Sequence, residues 1–253
     1  MNTVTSKDGT RIVFDQFGEG APVILVLGAF NARPTGVPLG QALAAHFTVF
    51  NYDRRGRGDS SDTEPYSIER EIEDLDALIA QAGGSACVFG YSSGAILALR
   101  AAAHGLAIAQ LALYDPPPTG ARAGTLVPQL TELVSAGRRG DAVELFQTEA
   151  VGIPAEIVAR LRHAPFRPAL ETMAHTLIYE STILRALPDG LVDAVQTPCL
   201  IMDAENNPDV MHQAAQSLAE ALPNGRYRLL DGQTHDLVPA VVAPVLAEFF
   251  LSR

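Results

Sequence analysis

The sequence predicts a doubly wound α/β fold, in which a mainly parallel sheet of eight strands carries helices on both faces and an all-helical insertion follows the sixth strand. Short apolar runs without alternation, typical of parallel strands covered on both faces, recur along the chain. Segments with helical periodicity separate these runs. From residue 119 to residue 195 the strands stop and helix-like segments follow one another. We therefore expect a core domain of residues 1–118 and 196–253 and a helical insertion of residues 119–195.

Composition bounds the class of protein. The 253 residues are enough for one large α/β domain with an insertion, and 47% hydrophobic with 19% charged residues is ordinary for a globular protein. The net charge of −11 argues against a nucleic-acid partner, because phosphate binding needs a basic surface. No apolar run is long enough for a membrane span and no secretory signal is visible, so we expect a cytoplasmic protein without membrane association.

The elements before the central motif follow from apolar runs and turn residues. A turn at residues 6–9 joins the first two strands, and a polar loop at residues 53–60 follows the fourth. Four strands are predicted here, at residues 1–5, 10–17, 22–27 and 47–52. Two helices are predicted, at residues 36–46 and 66–81.

The central motif is Gly-Tyr-Ser-Ser-Gly at residues 90–94. It lies between an apolar strand at residues 86–89 and a helix at residues 95–103, which is the context in which Gly-x-Ser-x-Gly marks a sharp strand-to-helix turn. Such a turn strains its central residue, Ser92, and pushes the hydroxyl clear of the sheet. The amide of Ser93, at the helix start, points to the same place and favours a developing negative charge there.

After this motif one strand, the helical insertion and two further strands follow. The strands are predicted at residues 109–114, 198–203 and 226–230. The insertion has helices at residues 126–136, 141–150, 155–163 and 168–187, and the core resumes with helices at residues 209–222 and 239–251. In the helix at residues 168–187, an apolar stripe is expected to pack on the core. His175 and Tyr179 share another face and are expected to be exposed, with a place in the pocket lining as the alternative.

Together, the strand order, the turn at residues 90–94, the loop at residues 53–60 and the late His235 resemble the α/β-hydrolase fold. The resemblance covers the chain except for residues 119–195, which resemble the helical cap of that superfamily. It implies a catalytic triad in the chain order serine, acid, histidine. Ser92 takes the first role, and His235 takes the last, since it is the histidine in a short loop after the final strand. We expect the other histidines in helices or at helix ends, such as His212, to face solvent.

The resemblance also implies an oxyanion hole made of backbone amides. Ser93 provides one amide. The superfamily commonly has His-Gly-x after its third strand, and the matching residues here are Leu27-Gly28-Ala29, so the second donor is Ala29, with Phe30 as the alternative. The imidazole of that pattern is absent, but the hole needs only N–H groups.

The acidic member of the implied triad does not stand at its usual position in the superfamily. The usual position after the seventh strand matches Asn207, which lacks the negative charge that stabilises an imidazolium. Some family members take the acid from the end of the sixth strand, where Asp115 stands before three prolines. We therefore predict Asp115, and the alternatives are Asp203, Glu205 and Asp209.

The resemblance implies a serine hydrolase that cleaves a small or medium, fairly hydrophobic carboxylic ester or lactone through an acyl-enzyme. Two other hypotheses stay open: a biosynthetic enzyme for acyl transfer, elimination or lactone formation, and a non-catalytic ligand-binding relative. The sequence contains no metal-ligand spacing or phosphate loop, so no metal and no cofactor is expected. The expected partner is a small-molecule substrate.

Overall fold

The computed structural model describes residues 1–252, and within them eight strands form one sheet. This confirms the predicted α/β architecture. The strands are β1 Asn2–Thr5, β2 Arg11–Phe17, β3 Ala21–Val26, β4 Phe47–Tyr52, β5 Ala86–Tyr91, β6 Ile108–Tyr114, β7 Cys199–Ala204 and β8 Gly225–Leu230.

Helices connect most of these strands, and none of the helices in residues 1–252 combines the length and the apolar character that a membrane crossing requires. Those of the core are α1 Arg33–Leu43, α2 Ile68–Gln81, α3 Ser93–Ala103, α9 Asp209–Ala221 and α10 Pro239–Leu251. Those of the insertion are α4 Ala121–Ser135, α5 Arg139–Glu149, α6 Ala155–Leu161, α7 Arg167–Thr172 and α8 Thr176–Ile183.

The sheet order is β1-β2-β4-β3-β5-β6-β7-β8. The β1–β2 and β2–β4 pairs are antiparallel, and every later pair is parallel. Tyr91 of β5 pairs with Tyr114 of β6, and Tyr114 pairs with Met202 of β7. Because parallel strands end at the same edge, the residues that follow β5, β6 and β7 are neighbours. Ligands bind at this edge in open α/β sheets.

The core explains why the central strands lack alternation. Every residue of β5 and of β7 is buried, since helices cover both faces of the sheet. One apolar cluster joins Phe89 of β5 and Met202 of β7 to α10, which contributes Leu246 and Phe250. Because the middle strands are buried on both faces, the residues at their carboxyl ends are attached to a rigid part of the sheet.

The described chain divides into two compact units, one of residues 1–118 and 188–252 and one of residues 119–187. The predicted insertion of residues 119–195 ends eight residues later than the smaller unit. The segment 188–195 belongs to the larger unit and forms turns closed by its own backbone, as in the hydrogen bond from the Ala194 amide to the Gly190 carbonyl. A capping role for the smaller unit stays a prediction.

The single helix expected at residues 168–187 is wrong, because α7 ends at Thr172 and α8 begins at Thr176. Threonine hydroxyls bond locally at this break: Thr172 donates to the carbonyl of Pro168, and Thr176 donates to that of Met173. Tyr179 is also buried rather than exposed, and its ring packs edge-on against His175 with 6.0 Å between the ring centres.

Candidate active site

Ser92 occupies the turn between β5 and α3 in a strained backbone conformation. Its φ of 56° lies in the left-handed region, which is unusual for a residue with a side chain. The turn is tight: a Cβ at Gly94 would lie 2.2 Å from the Val26 carbonyl oxygen, and one at Gly90 would lie 2.6 Å from the Cα of Ala95. Glycine is therefore needed at both motif positions.

His235 lies in the loop after β8 and reaches Ser92 with its side chain. Its Nε2 lies 3.2 Å from the Ser92 hydroxyl oxygen, and its Nδ1 lies 3.0 Å from Oδ2 of Asp115. A carboxylate only accepts hydrogen bonds, so Nδ1 carries the proton and Nε2 is left to accept from the serine hydroxyl. The structure thus brings Ser92, His235 and Asp115 together in one hydrogen-bonded line.

Asp115 is buried directly after β6, where its backbone also adopts a positive φ, of 48°. Its amide donates to the Met202 carbonyl, and its Oδ1 accepts the amide of Ala204 at 2.9 Å. Both contacts come from β7, the neighbouring strand. One carboxylate oxygen is therefore fixed by backbone, and the other faces the imidazole.

The alternative acids are engaged elsewhere. Oδ2 of Asp203 bonds to Nδ1 of His212 and to the hydroxyl of Tyr227, each at 2.7 Å, and Oδ1 accepts the Asn207 amide group at 3.2 Å. Glu205 instead accepts the backbone amide of Gly232. The bond to Asp203 raises the pKa of His212. The imidazole of His212 is thus bonded to a buried carboxylate, whereas the sequence predicts that it faces solvent. The remaining alternative, Asp209, is exposed in the first turn of α9.

The loop after β3 differs from the expectation in one respect. The Ala29 amide, predicted to serve the oxyanion hole, donates to the side-chain oxygen of Ser93 at 2.9 Å. The role of Ala29 stays a prediction, and it requires that Ser93 release or share this N–H group. The backbone amide of Ser93 itself is the first of α3, where helix amides have no partner within the helix.

Two buried arginines of the 53–60 loop hold the same segment, which the sequence analysis did not anticipate. Arg57 donates from Nη1 to the carbonyl oxygens of Gly28, at 2.6 Å, and Asn31, at 3.2 Å. Arg54 donates to the Leu27 carbonyl at 3.2 Å and forms a bidentate pair with Glu71 of α2. The polar loop thus holds the backbone beside Ser92 in place. The sequence feature that indicates this role is the run of arginines directly after a buried strand.

Two tyrosines were also missed. Tyr91 and Tyr114 are the residues immediately before Ser92 and Asp115, and both donate to backbone carbonyls of the loop that carries His235. The sequence places Tyr91 in the turn motif and Tyr114 at the end of a predicted strand, and a link to a segment more than 100 residues away leaves no local pattern.

The paired questions of a reactive thiol and of a metal site concern the two cysteines and the His, Cys, Asp and Glu side chains. Burial raises the pKa of Cys87 to about 11 and that of Cys199 to about 12, so both thiols are protonated and unreactive near neutral pH. Within residues 1–252 no group of three or more His, Cys, Asp or Glu side chains is placed to hold a metal ion.

The fold and the site geometry define the class of this protein, and sequence comparison agrees. A family profile described as "Alpha/beta hydrolase family" matches residues 23–247. The chain therefore belongs to the α/β-hydrolase family.

Three proteins illustrate what the chain is similar to. An α/β hydrolase from Sphaerobacter thermophilus shares 48% sequence identity, with a TM-score of 0.92 over 98% of this chain and 100% of that one. N-formylmaleamate deformylase from Pseudomonas putida is 28% identical over 241 residues, which are 91% of this chain and 88% of the relative. The enol-lactonase from Burkholderia xenovorans has a TM-score of 0.76 at 21% identity, over 98% of this chain and 99% of that one, and so shares the fold.

Proposed function

We propose that this protein is a serine hydrolase that cleaves a small or medium, fairly hydrophobic carboxylic ester or lactone through an acyl-enzyme. The observation that carries the proposal is the line of hydrogen bonds from Ser92 through His235 to Asp115, with distances of 3.2 Å and 3.0 Å. A serine hydroxyl, an imidazole and a buried carboxylate in this order form the arrangement that activates a serine for attack on a carbonyl.

In the first step the Ser92 oxygen bonds to the carbonyl carbon while its proton passes to Nε2 of His235. The imidazole becomes an imidazolium, and the carboxylate of Asp115 at Nδ1 offsets this charge. As the tetrahedral intermediate collapses, the bond to the alcohol oxygen breaks, and the alcohol leaves with the proton from Nε2. The acyl group is then joined to Ser92.

In the second step a water molecule replaces the alcohol. His235 takes a proton from this water, the hydroxide attacks the acyl carbon, and the Ser92 oxygen leaves and recovers the proton. The products are a carboxylic acid and the alcohol, which for a lactone are two ends of one molecule. The oxyanion of each intermediate is assigned to the amides of Ser93 and Ala29, the latter once Ser93 Oγ releases it.

The site residues support acyl chemistry more directly than they support one substrate. Two similar proteins, an enol-lactonase and an N-formylmaleamate deformylase, are named for reactions at an acyl carbonyl, which supports acyl chemistry here. The expected substrate is a small molecule, which agrees with the family.

Hydrolysis of an N-formyl amide is a second candidate. It is favoured by the deformylase relative, which aligns with 91% of this chain. The same three side chains serve both reactions, because an amide differs from an ester in the leaving nitrogen, which needs the proton from His235 more than an alcohol does.

A substrate panel tests the proposal. The purified protein is incubated with p-nitrophenyl esters of increasing acyl length, with γ- and δ-lactones and with an N-formyl amide, and Ser92→Ala is run in parallel. We expect turnover of short or medium esters or of lactones that disappears in Ser92→Ala. Turnover confined to the formyl amide would favour the second candidate, and acyl transfer to an added alcohol in place of acid release would favour a transferase. No turnover of any member would contradict the proposal.

A further inference from the structure

The segment that carries His235 has little regular structure of its own. Residues 231–238, here called the histidine loop, connect β8 to α10, and most of them are exposed. Its first half is held by backbone: the Gln233 amide donates to the Leu230 carbonyl, and the Asn206 amide donates to the Gln233 carbonyl at 2.9 Å. The second half carries the imidazole, whose side chain is 42% exposed.

Tyrosine hydroxyls bind that second half. Tyr91 donates to the His235 carbonyl at 2.6 Å. Tyr114 donates to the Thr234 carbonyl at 2.9 Å, and its hydroxyl lies 3.3 Å from the Asp236 carbonyl. Three consecutive carbonyls of the loop therefore face two hydroxyls that rise from the central strands of the sheet.

The rings of the two tyrosines form a support under the imidazole. The Tyr91 and Tyr114 rings stack with 5.8 Å between centres, and the centre of the Tyr91 ring lies 5.2 Å from that of His235. Both tyrosines are buried, and burial together with the nearby Asp115 charge raises the pKa of each hydroxyl. The hydroxyls thus stay protonated and can act as donors.

Building on the proposed function, we propose that Tyr91 and Tyr114 are positioning residues that hold the His235 backbone in the place where the imidazole meets Ser92 and Asp115. Each tyrosine directly precedes a residue of the catalytic line. Strand pairing sets Tyr91 against Tyr114, so the sheet fixes both donors relative to Ser92 and Asp115. The hydrogen bonds from these hydroxyls then fix the position of the histidine loop, which comes from a distant part of the chain.

Neither hydroxyl takes part in proton transfer in this account. Their loss would let the loop shift, and a displacement of about 1 Å in a catalytic group costs on the order of 100-fold in rate. The effect should fall on kcat, because the two hydroxyls bind the backbone of the loop that carries the general base.

The test uses Tyr91→Phe, Tyr114→Phe and the double variant, which keep the rings and remove the hydroxyls. We expect kcat to fall about tenfold in each single variant and about 100-fold in the double variant, with KM changed less than about twofold. The matched control is Tyr52→Phe. Tyr52 is also buried at the end of a strand, but its hydroxyl has no hydrogen-bond partner among residues 1–252, so its kcat should equal that of the wild type.

Two measurements separate positioning from general loosening of the fold. The proton on His235 Nδ1, bonded to Asp115, should give a downfield ¹H resonance, assigned by its loss in His235→Ala. In the double variant this signal should broaden or vanish, and the Asn206 amide should lose protection from hydrogen exchange. Core amides of β5 should keep their protection. An unchanged His235 signal and unchanged kcat in the double variant would overturn the proposal.

The outcome can be distinguished from a failure of the proposed function. If Ser92→Ala is inactive while the double tyrosine variant keeps wild-type kcat, the positioning role alone is wrong. If Ser92→Ala retains full turnover, the serine mechanism is wrong, and the ¹H signal of His235 still decides whether the tyrosines order the loop.

Discussion

Asp115, which follows β6, supplies the carboxylate that bonds to His235, whereas Asn207 stands after β7, where the family usually has the acid. The bond of His235 is to the residue after β6, while Asn207, after β7, bonds to Asp203. An amide at the acid position accepts a hydrogen bond, but it leaves the imidazolium charge without compensation. The buried carboxylate of Asp115, fixed by the Ala204 amide, can provide that compensation in the proposed mechanism.

We therefore expect Asp115→Asn to lower kcat by about two to four powers of ten with little change in KM, as for a group whose charge matters in the transition state. Steady-state kinetics on the best ester of the panel measures this, and a melting curve checks that the variant is folded. Asn207→Ala should cost far less.

Asp203→Asn is the matched control, since Asp203 is also a buried carboxylate bonded to a histidine. It should lower the melting temperature, because its bonds join β7, β8 and α9, and leave kcat within about tenfold. If Asp203→Asn loses turnover while Asp115→Asn keeps it, the acid assignment is wrong.

The 53–60 loop depends on buried ion pairs for its shape. Arg55 forms a bidentate pair with Asp74 of α2 and also binds Asp8 in the turn between β1 and β2. Removal of one partner from such a buried pair typically costs 3–5 kcal/mol, whereas removal of both can be nearly neutral. These pairs join three segments: the 53–60 loop, α2 and the turn between β1 and β2.

The ion pair of Asp8 with Arg55 makes the folding stability depend on pH. Burial acts to raise its pKa, but hydrogen bonds from Arg55 and Thr10 outweigh burial and hold the pKa at about 2, below the ordinary 3.8. A lowered folded-state pKa stabilises the protein above about pH 4, and this contribution is lost as the pH falls towards 2. The stability advantage of wild type over Asp8→Asn, from urea unfolding, should therefore shrink between pH 4 and pH 2. Glu19→Gln, at an exposed acid, is the control, and a constant advantage for Asp8 would contradict the argument.

In the smaller unit, most residues of α8 are buried. Leu177 is fully buried there, whereas Ile157 of α6 is 43% exposed. We expect Leu177→Ala to lower the free energy of unfolding by about 2–5 kcal/mol through loss of burial and an unfilled cavity. Ile157→Ala should cost less than about 0.5 kcal/mol. Equal effects in chemical denaturation would mean that α8 is packed differently.

For the whole molecule, the strands and their approximate limits follow from sequence because burial on both faces leaves a continuous apolar run, as in β5 and β7. The turn at Ser92 has a local signature of glycines. The prediction of Asp115 rests on the resemblance, through the position of a carboxylate after β6, and not on periodicity. The break between α7 and α8 has no local sign in the sequence, since neither glycine nor proline marks it.

The contacts that bring the site residues together cannot be predicted from the sequence. Tyr114 and Thr234, or Arg57 and Gly28, meet because of sheet order and loop path, which no spacing along the chain records. The same holds for the Ala29 amide, whose partner Ser93 Oγ lies on another element. Sequence patterns predict the elements and the reactive groups, while the orientation of those groups depends on tertiary packing.

The most direct test of the central claim is covalent labelling of the nucleophile. The wild-type protein is incubated with a fluorophosphonate and measured by intact-protein mass spectrometry, with peptide mapping of the adduct. We predict one adduct, on Ser92, that is absent in Ser92→Ala and forms far more slowly in His235→Ala. An adduct on another serine, or labelling that persists in Ser92→Ala, would contradict the account.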